Sequence, residues 1–171
     1  MAGDIAAIRK TYSQKSLSEK DALTDPITQF GNWWDEAVGS SIDEVNAMTL
    51  ATASADGVPS ARIVLLKGYD ESGFSFYTNY ESYKGKQLEE NPKACLVFFW
   101  KELERQVRIT GLVEKLSEQE SDSYFYSRPF ESQLGANASP QSQVIESREW
   151  LDKQYKQWES DQTKKTIRRP D

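Results

Sequence analysis

The feature that most constrains the fold is the central region, residues 47–116, in which short segments of strand-like composition alternate with turn sequences. Five such segments can be read from the sequence: 47–54, 58–67, 74–78, 93–100 and 104–116. Asp56-Gly57 is typical of a tight hairpin, and 70–73 is a second turn sequence. Five strands within about seventy residues, mostly joined by tight turns, predict an antiparallel β-barrel.

The N-terminal part differs in character from the predicted barrel. Residues 5–12 are expected to form a short helix, whereas residues 13–24 are polar and indicate a mobile arm. We therefore divide the chain into an N-terminal arm, residues 1–24, and one domain, residues 25–171. A chain of this length is long enough to bury a hydrophobic core.

Helical segments flank the strands, so the predicted fold is mainly β with flanking helices. Asp25-Pro26 is expected to start a helix whose apolar residues recur at helical spacing as far as Ala37. Another short helix is expected at 82–90. The capping-box sequence from Ser117 to Glu120 starts a third helix, which Pro129 should end. A loop is expected at 135–143, and a long polar helix at 144–163.

Composition excludes several classes of function. The chain has no histidine, which rules out histidine acid–base pairs, serine triads and histidine metal sites, so redox chemistry requires a cofactor. A net charge of −6 argues against a general nucleic-acid binder. The single cysteine, Cys95, is expected to be a buried strand residue, and one cysteine cannot form an internal disulfide. With no leader-like start and no membrane-spanning apolar segment, we expect a cytoplasmic protein.

Two cations bracket four aliphatic residues in the segment Arg62 to Lys67. In a regular strand these two side chains point to opposite faces, because positions 62 and 67 differ in parity. Either one faces solvent, or a bulge lets both serve one pocket. An edge strand with a cation at each end would have the same pattern.

Two further polar clusters accompany strand ends. Residues 77–79, followed by 82–84, join a strand end to a helix start, where free N–H groups, hydroxyls and Lys84 would suit a phosphate. An ordinary helix cap would look alike. In 103–107, Gln106 could bind a planar heterocycle, although a solvated hairpin turn would show the same sequence.

The fourth cluster is Tyr124, Arg128 and Ser132, at spacings of four. Tyr124 and Arg128 are expected to share a helical face, and all three side chains donate hydrogen bonds. Arginine is well suited to phosphate, although surface Tyr and Arg residues are common. Spacing alone leaves both interpretations open.

The order of the motifs is more specific than any one of them. The segments are R-I-V-L-L-K at 62–67, F-Y-T-N at 76–79, N-P at 91–92, L-E-R-Q-V at 103–107, Y-F-Y-S-R-P at 124–129, S-Q-L-G-A at 132–136 and Q-S at 141–142. Together they closely resemble the pyridoxine/pyridoxamine 5′-phosphate oxidase family, over nearly the whole chain. The resemblance implies an FMN-binding split β-barrel, an antiparallel Greek-key-like barrel that forms a homodimer with FMN at the subunit interface.

The resemblance also implies a set of ligand contacts, some of them supplied across the dimer. FMN would be contacted by Arg62, Ile63, Val64, Leu65, Leu66, Lys67, Tyr77, Thr78, Lys84, Gln106, Gln141 and Ser142. The phosphate-bearing substrate would be contacted by Lys67, Tyr124, Arg128 and Ser132, and by Arg9 and Tyr12 of the N-terminal arm. No metal and no catalytic side chain is implied, because the flavin carries the chemistry.

The reaction implied is the FMN-dependent oxidation of pyridoxamine or pyridoxine 5′-phosphate to pyridoxal 5′-phosphate. Oxygen would be the acceptor and hydrogen peroxide a product, with ammonia released from the amine. Three alternatives stay open: a flavin-binding split-barrel reductase with another substrate, a non-catalytic binder of FMN or pyridoxal phosphate, and a structural dimer module.

The sequence departs from the family pattern in two places. Tyr83 stands where the family usually has arginine, which should weaken FMN binding by about 1.5–3 kcal/mol unless a neighbouring cation compensates. After a Pro-containing segment such as 168–171, the family continues with a W-G-G-[YF] strand and an R-L-H-D-R motif, which contact FMN and substrate. This sequence contains neither motif, so we expect weak FMN binding and little or no activity from these 171 residues.

Overall fold

The computed structural model describes residues 4–13, 16–162 and 167–170. Within these residues the strands are β1 (Ala47–Ala53), β2 (Pro59–Leu65), β3 (Gly68–Asp70), β4 (Gly73–Ser75), β5 (Lys93–Trp100) and β6 (Arg105–Leu112). The helices are α1 (Pro26–Val38), α2 (Tyr83–Glu90), α3 (Glu118–Ser127), α4 (Phe130–Ala138) and α5 (Arg148–Gln162). None of these helices is long and apolar enough to cross a membrane.

The strands form one antiparallel sheet and a separate hairpin. The sheet has the order β2-β1-β5-β6, and β3 pairs with β4. Because side chains alternate along a strand, β2 directs Arg62 and Val64 to the inner face and Ile63 and Leu65 to the outer face. This alternation decides which motif residues pack in the core and which remain accessible.

The hydrophobic core lies between the inner face of the sheet, helix α1 and the β3–β4 hairpin. Phe30 of α1 lies at its centre, with ring centroids 4.8 Å from Phe74 and 5.4 Å from Phe98. The buried Trp100 packs beside them, and its Nε1 donates to the carbonyl oxygen of Val45 at 3.0 Å. The core therefore joins the hairpin to the sheet through aromatic rings from three elements.

The sequence-based prediction of strands is confirmed for β1, β2, β5 and β6, although β2 and β6 are shorter than the predicted segments. It is wrong for most of 74–78, because β4 ends at Ser75. Its partner β3 lies outside the predicted strands. Such a short strand has no alternating pattern of its own, and it is stabilised by pairing with β4 and by packing of Tyr69 against Phe30.

The predicted helix starts are confirmed for α1 and α3. Asp25 Oδ2 accepts a hydrogen bond from the Thr28 amide at 2.7 Å, and both hydrogen bonds of the Ser117–Glu120 capping box are present. The loop predicted for 135–143 is wrong for its first part, because α4 continues to Ala138. Gly135 disfavours helix, but burial of the neighbouring Leu134, which is 1% exposed, stabilises α4.

Other boundaries differ from the sequence-based prediction. Helical structure in 5–12 is limited to one 3₁₀ turn, Ile5–Ala7, and α5 begins at Arg148 instead of 144. Ser147 Oγ accepts from the Trp150 amide at 3.1 Å, which explains the later start. The predicted end at 163 lies outside the described residues. Cys95 is half-buried on the outer face of β5, whereas the sequence predicted a buried residue.

The outer face of the sheet exposes apolar side chains. Ile63 is 64% exposed, Phe99 60% and Leu112 72%. All three have the outward parity of their strands. Exposed large apolar side chains on one face of a sheet are consistent with an interaction face.

Candidate functional site

Arg62 is fixed between the sheet and helix α2. Its Nη1 donates to Thr52 Oγ1 at 2.6 Å and to the carbonyl oxygen of Leu50 at 3.1 Å. Its Nη2 lies 3.3 Å from Gln87 Oε1, which also accepts from Thr52 Oγ1 at 2.7 Å. Arg62 and Lys67 therefore do not share one face, since Arg62 points inward and Lys67 is exposed.

Lys84 lies in the first turn of α2, beside the end of the segment that follows β4. Its Nζ donates to Gln141 Oε1 at 2.8 Å, and Thr78 Oγ1 lies 3.5 Å from the same oxygen. Ser142 follows with φ 64°, a left-handed conformation that shapes this turn. The structure thus brings together Thr78, Lys84 and Gln141, three of the residues predicted to contact a cofactor.

Arg62 and Lys84 form a cationic pair without a paired carboxylate in the described part of the chain. Burial lowers the pKa of Lys84, and the positive charge of Arg62 lowers it further. Burial also lowers the pKa of Arg62, against a smaller opposing effect of Tyr83. Because the described residues supply no counter-charge, and α2 begins here with its positive dipole end, the site is suited to an anion such as a phosphate.

A second part of the site lies around Tyr124 of α3. Its ring stacks on that of Tyr77, with centroids 3.7 Å apart and planes 7° from parallel. Lys67 Nζ lies 5.9 Å from the Tyr124 ring centroid. Burial is the main cause that raises the pKa of Tyr77. An open cleft of about 700 Å³ runs beside this stack, lined by Tyr77, Ser117, Gln119, Glu120, Ser123 and Tyr124.

Arg128 and Ser132 flank the junction between α3 and α4. The prediction that Tyr124 and Arg128 share a helical face is wrong, because α3 ends at Ser127 and Arg128 is extended, with ψ 151°. Pro129 disfavours helical backbone at the residue before it, which explains the break. In the described residues, no hydrogen bond joins the side chain of Arg128 or Ser132 to Tyr124.

The other residues of the R-I-V-L-L-K strand divide between the two faces. Val64 and Leu66 are buried in the core, so they can offer a ligand only their backbone atoms. Ile63 and Leu65 point outward and are accessible. The division follows from the alternation of side chains along a strand. The expectation that all six consecutive residues contact FMN did not distinguish between the two faces.

Gln106 lies far from β2 within one protomer. The aligned pairs Ile63–Thr49, Thr49–Val97 and Val97–Arg108 form one row across four strands. Gln106 lies on the same outer face of β6, so it is about 14 Å from β2, three strand spacings away. Gln106 and β2 of the same chain are therefore too far apart to contact the same part of a ligand.

Arg9 and Tyr12 lie in an exposed N-terminal segment that is attached to the barrel through Glu104. Lys10 Nζ lies 2.8 Å from Glu104 Oε1, and the Ser13 amide donates to Glu104 Oε2 at 2.7 Å. Glu104 has φ 50°, an unusual backbone conformation for a glutamate. A role for Arg9 and Tyr12 in substrate binding stays a prediction.

Sequence reasoning missed Thr52 and Gln87, which hold Arg62 in place. Both are buried polar side chains, and Ser60 Oγ accepts a hydrogen bond from Gln87 Nε2 at 3.3 Å. For Thr52 the only signal in the sequence is a polar residue at an inward position of β1. For Gln87, in α2, the sequence has no corresponding signal.

Fold and site together define a class: a split β-barrel with a candidate anion site between β2 and α2. PhzG from Burkholderia lata, solved with tetrahydrophenazine-1-carboxylic acid, is similar with a TM-score of 0.85 and 29% identity, over 93% of this chain and 79% of that one. A pyridoxamine 5′-phosphate oxidase-related, FMN-binding protein from Nostoc punctiforme has a TM-score of 0.58 at 16% identity, over 77% of this chain and 73% of its own. The fold is therefore that of the FMN-binding split barrels.

The chain belongs to the pyridoxamine 5′-phosphate oxidase family, whose sequence model matches residues 34–161. A pyridoxine/pyridoxamine 5′-phosphate oxidase of Trichormus variabilis is 54% identical over 166 residues, which cover 97% of this chain and 78% of the relative. One of Salinibacter ruber is 58% identical over 144 residues, covering 84% of this chain and 67% of the relative. These matches confirm the resemblance that the motifs indicated.

Proposed function

We propose that this protein oxidises pyridoxamine or pyridoxine 5′-phosphate to pyridoxal 5′-phosphate with FMN as cofactor and O₂ as acceptor. Hydrogen peroxide is the reduced product, and the amine also yields ammonia. The observation that carries the proposal is the pair Arg62 and Lys84, which has no paired carboxylate among the described residues and is therefore suited to the phosphate of a flavin nucleotide. The names of relatives more than 50% identical support the same substrate class.

The residues present fit the phosphate end of FMN. Lys84 and Thr78 converge on Gln141 Oε1, an acceptor that a phosphate oxygen would replace. Arg62 stands beside Tyr83 and Lys84, so Arg62 and Lys84 would be the two cations of the phosphate site, and Tyr83 adds none where the family has arginine. When bound, FMN supplies the oxidation–reduction chemistry, and the chain supplies binding and orientation.

The substrate phosphate would lie near Lys67 and Tyr124. A lysine ammonium and a tyrosine hydroxyl on neighbouring elements are both hydrogen-bond donors to phosphate oxygens. Arg128 and Ser132, at the α3–α4 junction, would complete the set. By fixing the phosphate, these groups would hold the reacting carbon at a set distance from the flavin, which is how positioning accelerates a reaction.

We further propose a homodimer formed through the outer face of the sheet. Ile63, Phe99 and Leu112 are exposed there, and a second copy would cover them. A partner would also bring its Gln106 to the flavin beside β2, which Gln106 of the same chain is too distant to reach. A single half-buried cysteine is compatible with a cytoplasmic location, which we also propose.

The test is to incubate the native gene product with pyridoxamine 5′-phosphate, FMN and oxygen. We expect pyridoxal 5′-phosphate and hydrogen peroxide in equal amounts, and no product when the dephosphorylated amine is used. FMN binding without turnover would contradict the oxidase and favour a non-catalytic binder. The same assay on the 171-residue chain tests the sequence-based expectation of weak activity.

A second candidate is oxidation of a bulkier, phosphate-free acid, which similarity to PhzG favours. The two candidate functions differ in their use of Lys67 and Tyr124, because only a phosphorylated substrate would accept hydrogen bonds from these side chains through its phosphate. Turnover of a reduced tricyclic acid in place of the phosphorylated amine would support this candidate. Equal loss of both activities in Tyr124→Phe would indicate that one pocket serves both substrates.

The pKa of Lys84 gives a pH prediction of defined sign. Because it is lowered in the FMN-free fold, the unfolded chain binds more protons, so stability should rise with pH through the lowered pKa. FMN binding favours protonated Lys84, so affinity should fall over the same range, by at most about tenfold per pH unit. Thermal unfolding and FMN titration from neutral to alkaline pH measure these opposite trends.

The variant Lys84→Met should show neither the rise in stability nor the fall in FMN affinity. A wild-type FMN affinity that does not change with pH would contradict the assignment of Lys84 to the phosphate site.

A further inference from the structure

The helices that carry the proposed substrate residues have a hydrophobic cluster separate from the main core. Its buried members are Phe125 of α3, Leu134 of α4 and Ile167. Tyr155 and Trp158 of α5 pack against it. Ile167, only 3% exposed, belongs to no helix and is one of the three buried side chains of this cluster, with Phe125 of α3 and Leu134 of α4.

The residues next to Ile167 add polar contacts to the same two helices. Arg169 Nε donates to Asp122 Oδ1 of α3 at 2.7 Å. Asn137 Nδ2 of α4 donates to the carbonyl oxygen of Arg168 at 3.2 Å. Three consecutive residues, which we call the Ile167–Arg169 segment, therefore fix α3 and α4 by one apolar and two polar contacts.

These contacts bear on the orientation of Tyr124. Asp122 and Tyr124 are two residues apart in α3, which places them about 200° apart around the helix axis. Arg169 therefore holds the side of α3 that faces away from the Tyr77–Tyr124 stack. Phe125, adjacent to Tyr124, is buried against Ile167. Contacts on both sides of Tyr124 thus limit rotation of α3.

We propose that Arg169 is a positioning residue, which orients Tyr124 through Asp122 and so sets the affinity of the site for a phosphate-bearing substrate. The inference rests on the proposed function and deepens it. The hydrogen bond of Arg169 is to α3, whereas Arg62 and Lys84, the cations proposed for FMN, belong to β2 and α2; only a weaker electrostatic effect of Tyr80, before α2, also reaches Arg169. The two ligands should therefore respond differently to its loss.

Replacing Arg169 with alanine should raise the Kd for pyridoxine 5′-phosphate about fivefold, the fold-change that about 1 kcal/mol produces. The Kd for FMN should stay within about twofold, since no cation of that site is touched. Arg148→Ala is the matched control, because Arg148 forms an exposed ion pair with Asp152 at 3.0 Å on α5. The double variant Asp122→Arg with Arg169→Asp should restore substrate affinity. Calorimetric titration measures both ligands.

Three results would overturn the proposal: an unchanged Kd for pyridoxine 5′-phosphate in Arg169→Ala, an equal loss of both ligands, or no restoration by the exchanged pair. Hydrogen exchange of the unliganded chain is independent of the proposed function. Amides of 118–127 should exchange faster in Arg169→Ala, and those of 83–90 should not. If the wild type does not bind pyridoxine 5′-phosphate, the proposed function fails, and exchange alone then supports or overturns the positioning role.

Discussion

Replacing Lys84 with methionine should weaken FMN binding by about ten- to one-hundred-fold, because a charged hydrogen bond contributes about 1.5–3 kcal/mol. Methionine retains most of the apolar stem of lysine and removes its charge, together with the hydrogen bond to Gln141. The half-buried Lys84 is also repelled by Arg62, so the variant should be no less stable than the wild type. Quenching of flavin fluorescence on titration measures the affinity, and thermal unfolding measures the stability.

The matched control for this experiment lies on the same helix. Lys86 is exposed, and its Nζ lies 3.4 Å from Glu81 Oε2. Lys86→Met changes the net charge of the chain equally and removes only a surface ion pair, which contributes little. A similar loss of FMN affinity in both variants would show a general charge effect and would contradict the assigned site.

Gly85→Ala should lower the free energy of unfolding by about 3 kcal/mol, the upper range for an overpacked position. A Cβ at residue 85 would lie 2.1 Å from the carbonyl oxygen of Tyr80, and that oxygen is backbone that cannot move aside. Alanine normally stabilises a helix relative to glycine by about 1 kcal/mol, so the close approach must reverse the usual sign. Urea denaturation measures the change.

Gly111→Ala provides the control, because a Cβ there meets no atom within 4 Å. We expect this variant to be neutral or slightly stabilising, as for alanine in place of a strand glycine. The turn before α2 is the reason that the two positions differ. Ser82 is buried, its Oγ donates to the Asn79 carbonyl oxygen at 2.6 Å, and it accepts from the Gly85 amide at 3.3 Å. Equal stability of both variants would contradict this account.

The turn and the cation site are therefore structurally linked. Ser82 and Gly85 set the start of α2, and Lys84 lies between them. A distorted turn would move the Lys84 ammonium away from Arg62, so Gly85→Ala should also weaken FMN binding. Lys84→Met changes affinity alone, which separates the two effects.

Several residues of the candidate site have local sequence signals. Lys84 and Thr78 occur at the junction of a strand-like segment and a helix start, where phosphate sites are common. The sequence could not reveal that Thr52 and Gln87 hold Arg62, because these two residues, which hydrogen-bond to each other, are 35 positions apart in the chain. That Arg128 leaves the helical face of Tyr124 follows from Pro129, a local signal that the spacing of four between Tyr124 and Arg128 does not include.

Local sequence patterns were enough to predict the four strands of the main sheet, the capped starts of α1 and α3, and the family to which the ordered motifs belong. Alternation, capping and turn formation depend on neighbouring residues, so they can be recognised locally. Which residues lie together became visible only in the folded chain, where Lys84 contacts Gln141, 57 positions away, and Arg169 contacts Asp122, 47 positions away. The fold also separated Arg62 from Lys67 and Gln106 from β2. These relations depend on sheet register and helix packing, which arise from contacts between distant segments that no local pattern specifies.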